Sequence, residues 1–85
     1  MKTLLLYLLL QNVTYEANVK PIFEQRCARC HSTGSLNWMK YDNAFLYKDS
    51  IRWRVWAVRN MPPDFSITEE ERNTIKEWVD QGARQ

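Results

Sequence analysis

Residues 27–31 read Cys-Ala-Arg-Cys-His, and this pentapeptide constrains the chain more than any other stretch in it. Two thiols one helical turn apart, followed at once by an imidazole, match the spacing of covalent haem attachment. Each cysteine adds across a vinyl group of the ring to give a thioether, and the histidine ligates iron from one face. Two other chemistries fit less well. A closed zinc site takes four protein ligands, and Cys27, Cys30 and His31 are the only thiols and imidazole in the chain. A thioredoxin-like pair sits in a βαβ unit, and no alternation long enough for a strand is present.

An 85-residue chain forms one domain with a limited core, and folds of this size commonly lean on a disulfide, a metal or a cofactor. Large side chains are available to pack on a flat apolar ring or on each other: Phe23, Trp38, Tyr41, Phe45, Tyr47, Trp53, Trp56, Phe65 and Trp78. Charge is divided along the chain. Residues 20–59 carry eight basic and three acidic side chains, and residues 61–85 carry three basic and six acidic. A basic half steers acidic partners. No nucleic-acid motif or dense Lys/Arg run accompanies it, so no nucleic-acid partner is expected.

In chain order, residues 1–14 open with MKTLLLYLLL, which has the charged start and apolar run of an export signal and is too short to span a bilayer as a helix. No small-x-small cleavage site comes after it. The expected domain covers residues 15–85. Residues 15–26 form a helix with Val19, Ile22, Phe23 and Arg26 along one stripe. Pro21 is tolerated only near a helix start, which makes Asn18 the expected N-cap. Residues 32–40 read as loop. Residues 42–60 give one helix or two, with Asp42, and then Asp49 or Ser50, as caps. There Ile51, Val55 and Val58 share a stripe, while Trp53 and Arg54 are expected to point elsewhere. Met61-Pro62-Pro63 is a stiff strap. Residues 68–81 are the clearest helix: Thr68 and Glu71 form a capping box, three glutamates occupy the first turn, and Gly82 stops it.

With His31 as one axial ligand, the opposite face calls for a second group or none. No other histidine exists, so Met61 leads and Met39 is the alternative. The prolines hold Met61 at a low entropy cost, which favours a ligand role over packing. Trp38, Trp56 and Arg59 are candidates for packing on the ring or for bonding its propionates.

Residues 15–84 resemble the small monohaem class I cytochromes c. The resemblance rests on Phe23 four residues before Cys27, on CARCH, on Met61-Pro62-Pro63, and on a closing amphipathic helix carrying Trp78. It implies an all-α fold of three to four helices wrapped around one covalent haem, with the first and last helices crossing beside it. It also implies thioethers at Cys27 and Cys30, axial ligands His31 and Met61, and haem attachment outside the cytoplasmic membrane. The function expected is single-electron transfer to transient, acidic redox partners by an exported, periplasmic monomer that is not itself an enzyme. Membrane association is expected only if residues 1–14 are retained. The alternative is a haem sensor or weak peroxidase with an open sixth site. Two departures stand out. Val19 occupies a position where many members have glycine, so the helix crossing is expected to be wider or to lean on Gly82. No proline lies between His31 and Pro62, so the group that orients His31 is not named by the resemblance.

Overall fold

The computed structural model describes residues 12–28, 31, 34–62 and 66–85. The leucine run, Cys30, Pro63 and Phe65 lie outside the described residues. Among the described residues the chain is helical and contains no strand. α1 (Lys20–Arg26) is entered through a π-helical turn, Tyr15–Val19. A short 3₁₀ turn, Gly34–Leu36, precedes α2 (Tyr41–Leu46). α3 (Lys48–Arg52) continues into a second π-helical turn, Trp53–Ala57, and α4 (Glu69–Asp80) closes the fold. None of these helices is long and apolar enough to cross a membrane.

Winding begins earlier than Pro21 alone suggests. Thr14, not Asn18, is the N-cap, and its hydroxyl accepts from the Ala17 N–H. A proline ring in a continuous α-helix meets the carbonyl four residues back. The wider turn, in which the Lys20 N–H reaches Tyr15 O, lets the helix pass Pro21 without a break. The two leading N–H groups, normally orphaned, are satisfied by the far end of the chain: Tyr15 donates to Arg84 O at 2.8 Å and Glu16 to Gln85 O at 3.0 Å. Val13 is buried and its N–H donates to Gln81 Oε1.

The middle of the chain is two helices. α2 starts at Tyr41 with Lys40 extended before it and no side-chain cap, and α3 starts after Tyr47. Asp42 and Asp49 therefore sit in the first turns, where their charge suits the helix dipole, and neither caps. α4 matches its signature: Thr68 and Glu71 complete both bonds of the capping box. Gly82 comes just after it with φ +102°, which only glycine adopts without strain.

Tyr15, Val19 and Phe23 from the first helical segment meet Ile75 and Trp78 from α4, and all five are fully buried. The Phe23 ring stands edge-on to Trp78 with centroids 6.4 Å apart, and Tyr15 lies 6.0 Å from Trp78 and 5.4 Å from Tyr41. Edge-to-face contacts of this kind add to the apolar burial. The contact does not lean on Gly82 for space, since a side chain there would meet nothing within 4 Å.

The uneven charge is largely resolved within the fold. Arg26 pairs with Glu71 at 3.1 Å, Arg52 with Asp80 at 2.8 Å and Arg59 with Glu69 at 2.7 Å. The basic middle thus grips the acidic last helix at three points along its length. Burial pushes the Asp80 carboxyl up, but its bonds to Lys76 and Arg52 outweigh this and hold it below the ordinary range.

Candidate functional site

α1 ends at Arg26, and Cys27 takes the C-cap position with its N–H on Phe23 O at 2.8 Å. The His31 N–H then donates to Cys27 O at 2.9 Å. The first thiol and the imidazole are thereby set one turn apart at the helix end. The loop closes back on this turn: the Trp38 N–H donates to His31 O at 3.0 Å, and the Trp38 ring stacks on the imidazole at 4.9 Å and 23°. Trp38 is itself fixed by the core, because the buried Tyr15 hydroxyl donates to its carbonyl. A chain of contacts thus runs from the helix-crossing core through Tyr15 and Trp38 to the His31 ring.

Cys27, His31 and Met61 line one cleft of about 250 Å³. Phe23, Leu36, Trp38, Tyr47, Ile51 and Val55 supply the rest of its apolar wall, with Ser50 and Arg54 as its polar members. A thiol, an imidazole and a thioether from distant parts of the sequence are brought together here. Cys30 lies outside the described residues. Met39 is partly buried against the core and is not on the cleft lining. Among the described residues no three His, Cys, Asp or Glu side chains converge as a metal-binding group.

Two further candidates sit elsewhere. Trp56 and Arg59 are not on the cleft lining. The Arg59 guanidinium stacks on the Trp56 ring at 4.9 Å, with Lys76 5.6 Å from the same ring. Arg59 Nε also donates to Trp56 O at 3.1 Å, and its far end pairs with Glu69. Arg54, expected to point away, lines the cleft instead. The reason is the π-helical turn, whose extra residue per turn rotates its side chains relative to an α-helical projection. Trp53 does face solvent, at 62 % exposed.

His31 Nδ1 is buried and has no hydrogen-bond partner among the described residues. Burial lowers the imidazole pKa, opposed by the nearby Leu36 carbonyl. An unpaired buried nitrogen costs about 1–3 kcal/mol, so the imidazole has bonding capacity that the described protein does not use.

The strap bearing Met61 is anchored from α4. The π-helical turn and its exit leave carbonyls in need of donors. Val58 N–H serves Trp53 O at 2.8 Å, Asn60 N–H serves Arg54 O at 3.0 Å, and Arg59 Nε serves Trp56 O. Val55 O is taken by the buried Arg72 guanidinium through Nη1 at 2.6 Å. The same nitrogen approaches Met61 O at 3.4 Å. Nothing in the hydrophobic periodicity points to Arg72; its one signal is a cation placed three residues before Ile75, on the apolar stripe of α4. No family model, curated protein or solved structure matches the chain.

Proposed function

We propose that this protein is a single-electron carrier holding one covalent haem, with Cys27 and Cys30 as thioether attachments and His31 and Met61 as axial ligands. The observation that carries the reading is the shared apolar cleft, which brings Cys27, His31 and Met61 together from residues 34 apart in sequence. The donor set fits the group. A thiol and an imidazole are fixed one turn apart, and a thioether lies on the same cleft. The fold proposed is that of the class I cytochromes c, in which the first and last helices meet beside the cofactor.

Bound there, a haem iron supplies a one-electron couple whose ferrous form is favoured by a methionine ligand. The chain's own residues do the rest. Trp38 stacks on the imidazole and limits its rotation. Phe23, Tyr47, Ile51 and Val55 exclude water, which disfavours additional charge in the cleft. Arg54, a cation on the lining, is available to a carboxylate there. The role is electron transfer to transient redox partners outside the cytoplasmic membrane.

The test is a reduced-minus-oxidised spectrum of the exported protein with and without carbon monoxide. The carrier reading expects no rapid CO binding at neutral pH, and loss of the long-wavelength ferric Met–iron absorption in Met61→Ala but not in Met39→Ala. Rapid CO binding by the wild type would overturn it in favour of a sensor or peroxidase with an open sixth site.

A further inference from the structure

We infer that Arg72 is the positioning residue for Met61, holding the strap so that its thioether stays on the cleft. The inference rests on the haem reading proposed above and adds a role to a residue far from CARCH. Arg72 is 5 % exposed and is the only buried charged side chain among the described residues. It sits three residues before Ile75 and six before Trp78, on the face α4 turns to the core. An apolar residue would pack at that position without desolvating a charge, and a buried guanidinium is costly unless its hydrogens are used. No carboxylate among the described residues pairs with it.

Its use lies in the two carbonyls it reaches. Nη1 carries two hydrogens; one goes to Val55 O at 2.6 Å, and the other is directed towards Met61 O at a long 3.4 Å. Both Val55 and Met61 line the cleft. The guanidinium therefore ties the middle of the wide turn and the strap to one rigid helix. That helix is itself fixed at its first turn by the capping box and by the Glu69–Arg59 pair. Arg59 is the residue where the chain turns from helix to strap, at φ +63°. Without Arg72, Val55 O loses its donor and the Met61 backbone loses its contact with α4, leaving the side chain's packing against the core to fix it.

The test compares the exported, haem-loaded wild type with Arg72→Met, Arg72→Lys and Arg52→Ala. Intact mass, helical circular dichroism, the ferric Met–iron absorption and imidazole affinity are read for each. A ligand competing with Met61 binds in proportion to the fraction of molecules whose strap is open. Loss of a hydrogen bond from a charged donor then predicts roughly ten- to hundredfold tighter imidazole binding in Arg72→Met, with a weakened Met–iron band and unchanged covalent mass. Arg72→Lys keeps the charge but not the fork, and falls between; if Arg72→Met does not fold, Arg72→Lys decides alone. Arg52→Ala breaks a different tie to α4 and leaves band and affinity unchanged. Imidazole affinity within twofold of wild type in the folded Arg72 variants overturns the inference alone, as does an equal change in Arg52→Ala. A wild type without covalent haem overturns the carrier reading and the inference together.

Discussion

Tyr15→Phe removes one oxygen and keeps a ring that packs against Phe23, Tyr41 and Trp78. Its cost is therefore that of one bond, the donation from the phenol to the buried Trp38 carbonyl. Leaving a buried acceptor unpaired costs about 1–3 kcal/mol, which in a domain of this size lowers Tm by roughly 4–20 °C. The same phenol gives the difference a pH dependence. Burial, followed by the nearby Glu16 and Glu24 carboxylates, pushes the Tyr15 phenol up to about 12. Against an ordinary value of about 10, that shift is a penalty on the ionised phenol in the folded protein, set by burial and the two carboxylates and separate from the bond to Trp38. A raised folded pKa gives stability that is fully present below the unfolded value and is lost as pH rises through the folded one. Denaturant unfolding of wild type and Tyr15→Phe should thus show a gap that is constant below about pH 10 and closes towards pH 12. Taking the difference between the two proteins cancels the other groups that titrate in that range. A variant within about 0.5 kcal/mol of wild type, or a gap that does not change through this window, would refute the reasoning.

Trp78→Ala should be the most damaging single truncation, at about 3–5 kcal/mol, because the indole is fully buried between Tyr15 and Phe23 and its Nε1 donates to Arg84 O at 2.9 Å; loss of cooperative thermal unfolding checks this. Glu71→Gln keeps the capping box, since glutamine also serves there, and removes the ion pair to Arg26 together with one first-turn charge, for a cost of about 0.5–1 kcal/mol near neutral pH. Burial pushes the Glu71 carboxyl up, but the Thr68 N–H and the Arg26 guanidinium outweigh it and hold it below its ordinary value. The wild-type advantage is therefore present above the ordinary carboxylate range and disappears as pH falls through the lowered value, which urea midpoints measured from neutral pH into acid will show.

Where local chemistry decides the structure, the residues announce it. Thr68, Glu71 and Gly82 start and stop α4 at the expected places, because a capping box and a positive-φ stop act within one turn. Met61 and His31 reach one cleft although 30 residues separate them. The misses share a cause that acts across the fold. Asn18 is not the cap because a wide turn carries the helix past Pro21. Arg54 lies on the cleft because the second wide turn rotates it there, and Arg72 arrives at that turn from another helix to bond Val55 O. Helical periodicity assumes one pitch, so it projects side chains wrongly wherever the pitch changes. Three arginines of the basic half already have partners in the fold: Arg26, Arg52 and Arg59 are paired with carboxylates of α4. Composition shows how many charges there are; only the packing of α4 shows which are already matched.

The central claim is that a haem is bonded to the chain through its two cysteines. Intact mass of the protein exported from a host able to attach haem, measured after denaturation beside Cys27→Ser and Cys30→Ser, tests it most directly. The account predicts a wild-type mass raised by one haem that survives denaturation, with the double thioether lost in either variant. A wild type at the bare polypeptide mass, or a haem that leaves on unfolding, would contradict it.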